Sequence, residues 1–135
     1  MRFSDILEGK NITIINNIDD NCTISFDQES LNIIIRNLIH NAIKFSYPGS
    51  NIYVSSVHQN VKKIIIRDHG VGMPDEVLDN WTKDHFFQSN KGTFGEQGSG
   101  LGLALCRTVA QMNDCHLYFK KGEDKGTVAI LEWKG

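Results

Sequence analysis

A single aspartate at the end of an apolar run is the first candidate for chemistry in this sequence. The run Ile64–Ile66 leads through Arg67 to Asp68, and Gly70 and Gly72 follow. A buried strand ending in Asp-x-Gly-x-Gly would hold one carboxylate at a fixed place, where glycines let backbone approach a ligand closely. In an adenine pocket that carboxylate would accept a hydrogen bond from the exocyclic amino group, whereas guanine presents a carbonyl and would be rejected. Because Asp-x-Gly is also common in turns, the pattern alone leaves an ordinary turn residue open.

A polar stripe on a predicted helix is the second candidate. Asn37, Asn41 and Lys44 lie within about 60° of one another around the helix axis. Asparagine side-chain carbonyls suit a hard cation such as Mg²⁺, which keeps several waters and takes few protein ligands besides substrate phosphates. A nearby ammonium group suits phosphate oxygens. The alternative is a solvated helix face, which is the preferred interpretation for any one asparagine taken alone.

Three alternate glycines at the start of a predicted helix are the third candidate. Gly98, Gly100 and Gly102 would offer backbone N–H groups and the positive end of the helix dipole to an anion. The signal is weak by itself, because the spacing does not match the dinucleotide-binding fingerprint. The phosphate-loop motif with Gly-Lys-Ser/Thr is also absent from the sequence.

Hydrophobic periodicity and turn residues predict the elements that position these candidates. The predicted order is a strand over 11–18, a short strand over 23–26, a helix from an Asp27 cap to about Ser46, hairpin strands over 51–58 and 62–68, a short helix over 74–80, a helix from 98–102 to about 112, and strands over 116–120 and 127–133. Between the last two helices, residues 81–99 lack a sustained period, so we expect a long lid loop there.

The order of elements predicts the fold class. Hairpin-joined strands interrupted by amphipathic helices indicate an α+β two-layer sandwich. We expect a mixed, mostly antiparallel sheet of about five strands covered on one face by three helices. The apolar stripe predicted for the long helix consists of Leu31, Ile35, Leu38, Ala42 and Phe45.

The chain as a whole has the composition of one globular domain. Its 135 residues are 40% apolar and 22% charged, and the net charge of -2 gives no electrostatic argument for nucleic acid or an anionic membrane. No apolar run approaches the roughly 20 residues of a membrane span. Cys22, Cys106 and Cys115 lack metal-ligand spacing. They are expected to be reduced thiols of a cytoplasmic protein, whose full-length form could carry a membrane anchor.

Four motifs, in order, resemble those of the ATP-binding catalytic domain of sensor histidine kinases, in the wider group that includes gyrase, the heat-shock chaperone and mismatch-repair ATPases. Residues 37–46, Asn-Leu-Ile-His-Asn-Ala-Ile-Lys-Phe-Ser, resemble the N box, and residues 68–74, Asp-His-Gly-Val-Gly-Met-Pro, resemble the first glycine box. Residues 85–88, His-Phe-Phe-Gln, resemble the phenylalanine box, and residues 98–104, Gly-Ser-Gly-Leu-Gly-Leu-Ala, the second glycine box. The resemblance makes residues 10–135 the catalytic domain and residues 1–9 the end of an upstream linker helix.

The resemblance implies a role for each matching residue. Asn41 would ligate Mg²⁺, Asn37 would support the metal and the phosphates, and Lys44 would meet a phosphate. Asp68 would bind the adenine amino group, and residues 81–99 would form the ATP lid. The residues implied to bind ATP are Asn37, Asn41, Lys44, Phe45, Asp68, Gly70, Gly72, Met73, Phe87, Gly98, Gly100, Leu101 and Gly102. The residues implied in catalysis are Asn37 and Lys44.

Two departures from the family pattern shape the expected activity. Hydrolysing relatives carry a glutamate four residues before the magnesium asparagine, and Asn37 occupies that position here. An amide cannot act as a general base near neutral pH, so we expect slow hydrolysis and transfer of the γ-phosphoryl group to another acceptor. None of the five histidines has the sequence context of the family's acceptor histidine. The acceptor is therefore expected on a helical dimerisation domain absent from this chain.

The resemblance also implies partners and leaves alternatives. The expected partners are the histidine-containing dimerisation domain of the same kinase and a downstream response regulator, with no nucleic acid and no direct membrane contact. The fragment is expected to be a monomer that does not autophosphorylate alone. One alternative is a nucleotide-dependent binding module, in which ATP only orders the lid. Another is an anti-sigma serine kinase of the same fold.

Overall fold

A computed structural model describes residues 11–18, 26–72, 75, 78, 101–123 and 125–134 of the chain, with backbone alone for 101, 102 and 134. In chain order the elements are β1 (Thr13–Asn17), α1 (Gln28–Phe45), β2 (Asn51–His58), β3 (Val61–Arg67), α2 (Leu101–Met112), β4 (His116–Lys121) and β5 (Thr127–Lys134). Each falls within about two residues of its predicted limits. Neither of these helices is long and apolar enough to cross a membrane.

The long helix α1 begins at the predicted cap residue, Asp27. Asp27 accepts hydrogen bonds from the Ser30 backbone N–H at 3.0 Å and from the Ser30 hydroxyl at 2.9 Å. An acidic residue in the first turn, Glu29, adds a favourable interaction with the helix dipole. The helix ends at Ser46, whose extended backbone donates its N–H to the Ile43 carbonyl at 3.2 Å. The predicted Asp27 cap and the predicted end of the helix at about Ser46 are confirmed.

The five strands form one sheet in the order β1-β2-β3-β5-β4. β1 pairs with β2 in parallel, and the three other pairs are antiparallel. The predicted mixed, mostly antiparallel α+β sheet is confirmed. Its order places β5, the last strand of the chain, between the β2–β3 hairpin and β4.

The strand registers sort the side chains into two faces. On one face, Val54, Ile66 and Ala129 stand side by side, and all three are buried in the core with residues of α1 and α2. The opposite face carries the alternate side chains, and we call it the open face because both described helices pack on the other side. Its residues are Tyr53, Ser55, Val57, Lys63, Ile65, Arg67, His116, Tyr118, Lys120, Val128, Ile130 and Glu132.

The apolar stripe predicted for α1 is right for only part of its length. Leu38, Ala42 and Phe45 are buried, but the other two predicted members of the stripe are only partly so. Ile34 and Ile43, both 0% exposed, were not predicted. These two residues are nine positions apart and so lie on opposite sides of the helix. The buried surface is therefore wider than the predicted stripe, and α2 packs beside α1.

Several predicted elements lie outside the described residues. These include the linker segment 1–9, most of the short strand over 23–26 and the lid over 81–99. Of the short helix predicted over 74–80, Asp75 and Leu78 are described, and both are helical.

Candidate functional site

Asp68 is buried immediately after β3, and one of its two carboxylate oxygens is fully committed. The residue is 5% exposed. Oδ1 accepts hydrogen bonds from the backbone N–H groups of Gly70 and Thr127, each at 3.2 Å. The Asp68 backbone N–H donates in turn to the Thr127 carbonyl at 3.0 Å. Within the described part of the chain no donor reaches Oδ2, so this oxygen is left to accept a hydrogen bond from a ligand.

The environment of Asp68 raises its pKa. Burial, which disfavours the charged form, raises the pKa of this carboxyl group to about 7, although the two backbone N–H groups act in the opposite direction. Both protonation states are therefore accessible near neutral pH. A ligand that donates a hydrogen bond to Oδ2 would favour the ionised state.

The turn after Asp68 is joined directly to the end of α1. The Val71 N–H donates to the Phe45 carbonyl at 3.0 Å, and Ser46 pairs with Gly70 in an isolated antiparallel bridge. A Cβ atom on Gly70 would overlap the Phe45 carbonyl oxygen. Close contact between these two backbone segments is therefore a structural reason for glycine at position 70. Its implied contact with the base stays a prediction.

The start of β5 contributes two positions that the sequence did not point to. Gly126 has a φ of +77°, and a Cβ atom there would overlap the Asp68 carbonyl oxygen. Thr127, which is 7% exposed, follows it and supplies the N–H bound to the Asp68 carboxylate. In the sequence, these positions were marked only by a Gly-Thr pair at the start of a predicted strand. Its meaning depends on the pairing of β3 with β5, which are distant in sequence.

The polar stripe of α1 presents side-chain atoms suited to a cation and to phosphate. Asn37 is half-buried, and its Nδ2 donates to the Ile33 carbonyl at 2.7 Å, which leaves Oδ1 turned away from that bond. Asn41 is also half-buried and makes no hydrogen bond through its side chain with the described residues. Lys44 is 6% exposed, and its Nζ lies 4.9 Å from the centroid of the Phe45 ring.

The two halves of the site belong to one continuous structure. Lys44 and Phe45 form the last turn of α1, which the bridge from Ser46 to Gly70 attaches to the Asp68 turn. Asn41 lies one turn earlier on the helix, about 4.5 Å along its axis from Lys44. A linear ligand could therefore contact the carboxylate at one end and the amide and ammonium groups at the other.

Other predicted site residues are described only in part or not at all. Gly102, like Leu101 before it, belongs to the first turn of α2, and only its helical backbone is described. The remaining four predicted positions lie outside the described residues: Met73, Phe87, Gly98 and Gly100.

The described donor set fits an adenine nucleotide with Mg²⁺. A buried carboxylate with one uncommitted oxygen matches an exocyclic amino group. Two amide side chains match the small number of protein ligands that Mg²⁺ takes when phosphates supply others. A lysine on the same helix face matches a phosphate.

Comparison with known proteins identifies the family. The sequence model of the histidine kinase-, DNA gyrase B- and HSP90-like ATPases matches residues 26–134. The chain belongs to this family. The match covers most of the chain, and it agrees with the predicted α+β fold.

Sensory kinases are among the relatives of this ATPase-family domain. The adaptive-response sensory kinase SasA of Rippkaea orientalis is 30% identical over 128 residues, which are 93% of this chain and 32% of that protein. The chain thus spans about a third of that relative's length. Among solved structures, a mycobacterial sensor histidine kinase, MprB, is 23% identical with a TM-score of 0.75, covering 98% of this chain and 89% of that one. The histidine kinase ThkA in complex with the response regulator protein TrrA is 18% identical with a TM-score of 0.73, covering 98% and 36%. These two structures confirm the fold.

Proposed function

We propose that the chain is the ATP- and Mg²⁺-binding catalytic domain of a two-component sensor histidine kinase. It would transfer the γ-phosphoryl group of ATP to a histidine on a separate dimerisation domain. The observation that carries this proposal is the joint between α1 and the Asp68 turn, which links the buried carboxylate to the helix with the Asn–Lys stripe. Membership of the ATPase family and the sensory kinases among the relatives support it.

Asp68 would select the base. Because Oδ1 is held by two backbone N–H groups, Oδ2 would accept the hydrogen bond from the adenine amino group. That bond favours the ionised carboxyl group and would lower its pKa in the complex. Guanine would place a carbonyl oxygen against the same carboxylate, so a site built on this bond discriminates against it.

The stripe on α1 would hold the triphosphate. Asn41 would ligate Mg²⁺ through its side-chain oxygen, and Asn37, with its amide nitrogen bound to backbone, would turn its own oxygen to the same region. Lys44, in the last turn of the helix, would contact a phosphate. Bound Mg²⁺ would neutralise charge on the phosphoryl oxygens. The chain's own contribution is to position the γ-phosphoryl group for in-line attack by an incoming nucleophile.

The site lacks a residue that would activate water at the expected place. Asn37 stands where hydrolysing relatives carry a glutamate, and an amide cannot act as a general base near neutral pH. ATP held in this site would therefore persist until an acceptor enters. An imidazole nitrogen on the dimerisation domain would supply the nucleophile, and a response regulator would receive the phosphoryl group afterwards. The structural relative in complex with a response regulator supports the second step only by analogy.

Phosphoryl transfer in trans tests the proposal directly. The chain would be mixed with the histidine-containing domain of its own kinase and with ATP labelled at the γ-phosphate. We expect label on the acceptor domain that is stable to base and labile to acid, and none on this chain. Asn41→Ala should abolish transfer, whereas Asn32→Ala, at an exposed position on the same helix, should leave it unchanged.

Two results would change the assignment. Tight ATP-dependent binding of the acceptor domain without transfer would indicate a nucleotide-dependent binding module instead of a kinase. Acid-labile label on this chain by itself would show that the acceptor lies here, and would overturn the division of roles between two domains.

A further inference from the structure

A small basic cavity lies on the open face of the sheet, on the other side of β3 and β5 from the helices. It has a volume of about 280 Å³. Its floor is apolar and comprises Ile65, Val128 and Ile130, of which Ile130 is only 4% exposed. Its rim carries Arg67 from β3, Lys120 and Lys121 from β4 and Lys125 from the turn between β4 and β5. Asp68 and His69, which follow β3, line its edge.

Three of the rim cations have no anionic partner among the described residues, whereas Lys121 is paired with Asp75. Arg67 and Lys120 flank Val128 in one row across the sheet, and both are exposed, as is Lys125. The Lys120 Nζ lies 5.8 Å from the centroid of the Tyr118 ring. The acids lining the cavity are the exposed Glu123 and the buried Asp68.

On the same face of the sheet, another lysine is paired with an acid. Lys63 and Glu132 are opposite each other in the register, and their charged groups approach to 3.2 Å. The Tyr118 hydroxyl donates to the same Glu132 oxygen at 2.9 Å. Further along the sheet, the row with Arg67 and Lys120 contains no acid. The positive charge around the cavity is thus a local feature of a chain whose net charge is -2.

We propose that this basic cavity docks an acidic protein segment, which inserts one apolar side chain onto the Ile65–Val128–Ile130 floor and places carboxylates against Arg67, Lys120 and Lys125. Charge complementarity carries the choice of an acidic partner. The volume is below the roughly 300–1,000 Å³ of small-molecule pockets and suits one inserted side chain. A nucleic acid is disfavoured, because the concave apolar floor offers no extended basic stripe and the chain is acidic overall. The proposal does not depend on the kinase assignment.

A designed peptide tests this surface. The probe is a fluorescein-labelled peptide with a central leucine, flanked on each side by a run of glutamates and capped by glycines at both ends. Binding would be measured by anisotropy at low and physiological salt. We expect saturable binding that weakens at least tenfold when Lys120→Gln and Lys125→Gln are combined, and that weakens with salt. Replacing the central leucine by serine should weaken binding about fivefold or more, because the floor would be left uncovered.

A control separates the cavity from net charge. The double variant Arg36→Gln with Lys62→Gln removes two positive charges elsewhere, on α1 and at the far end of β3, and should change the affinity less than twofold. Thermal unfolding and adenosine binding would be measured for both double variants to verify that each is folded.

Three outcomes would overturn the proposal. They are no saturable peptide binding at low salt, equal losses in the two double variants, or equal affinity for the leucine and serine peptides. Binding of a single-stranded RNA that depends on Lys120 and Lys125, without peptide binding, would replace it with a nucleic-acid surface. Nucleotide affinity is measured separately, so failure here leaves the kinase assignment standing, and the reverse holds as well.

Discussion

The two ends of the candidate ATP site are held in different ways. At the base end, Asp68 is buried, and backbone bonds join its turn to both α1 and β5. At the proposed metal end, Asn37 and Asn41 are half-buried side chains on one helix, and the side-chain hydrogen bond described there, from Asn37 to the Ile33 carbonyl, lies within that helix. A polar group fixed by backbone bonds at one end is therefore combined, at the other, with side chains that have fewer described hydrogen bonds.

The difference corresponds to what each end would do under the proposed function. Discrimination between bases requires a polar group that cannot move to suit the wrong base, and burial with fixed hydrogen bonds provides it. Holding a hydrated metal and a triphosphate requires ligands that can adjust as the phosphoryl group leaves, because Mg²⁺ keeps several waters and shares its sites with the substrate. We expect substitutions at the base end to affect both folding and binding, and those at the metal end to affect binding alone.

The largest effect is expected from Gly70→Ala. Its Cβ would overlap the Phe45 carbonyl oxygen, so α1 and the Asp68 turn must separate. We expect the free energy of unfolding to fall by about 4 kcal/mol or more, as for other severe backbone clashes, together with loss of ATP binding. Urea unfolding followed by circular dichroism would measure the change.

A matched glycine provides the control. Gly49 has a φ of +82°, but no atom lies within 4 Å of the position that a Cβ would take, so Gly49→Ala carries conformational strain without a clash. Its expected cost is about 1–2 kcal/mol, with ATP affinity retained. Equal costs for the two variants would show that the joint to α1 is not what requires glycine at position 70.

The second effect concerns pH and the Asp68 carboxyl group. Its pKa is about 7 in the folded chain, compared with an ordinary value of 3.8. Between these two pH values the native state therefore binds more protons than the unfolded state. The contribution of this group to stability is therefore complete below about pH 4 and is lost as the pH rises through about 7, by at most about 4 kcal/mol. Asp68→Asn should gain stability relative to the parent chain as the pH is raised from about 4 to about 8.

The measurement is the difference in unfolding free energy between variant and parent at each pH. Taking the difference cancels the other titrating groups. A constant difference for Asp68→Asn would mean that burial does not perturb this carboxyl group.

The third effect is on base selection by Asp68→Asn. An amide can turn either its oxygen or its nitrogen to the base, so we expect ATP to bind more weakly by about 1–3 kcal/mol, the scale of a lost hydrogen bond to a charged group. The preference for ATP over GTP should shrink at the same time. Calorimetry with both nucleotides would measure it, and unchanged affinity for ATP would place the base elsewhere.

The sequence predicted elements well because local patterns determine them. Asp27 and Ser30 form the start of α1 by short-range bonds, and the alternation in β2 and β3 defines two faces without knowledge of the neighbours. The sheet order was not predictable in the same way, since β3 and β5 are far apart in the chain and nothing local indicates that they pair.

The site shows the same limit. Asp68 stood out because a charged residue closely follows an apolar run. Gly126 and Thr127 did not stand out, because their contact with Asp68 arises only when β5 pairs with β3. Ile34 was missed for a related reason, since its burial depends on α2. The Cys106 thiol on α2 makes a weak contact with the Ile34 carbonyl at 3.9 Å.

The smallest effect on folding is expected at the metal end, where Asn41→Ala removes a half-buried amide that makes no side-chain bond within the described residues. We expect its unfolding free energy to stay within about 0.5 kcal/mol of the parent, as for an ordinary surface substitution. ATP affinity in Mg²⁺ should fall, whereas adenosine affinity should stay the same, because adenosine reaches only the base end. Chelation of Mg²⁺ should reproduce that pattern in the parent chain and have little further effect on the variant. If chelation weakens ATP binding equally in both, Asn41 is not a metal ligand. The residues that hold the metal would then lie on another element.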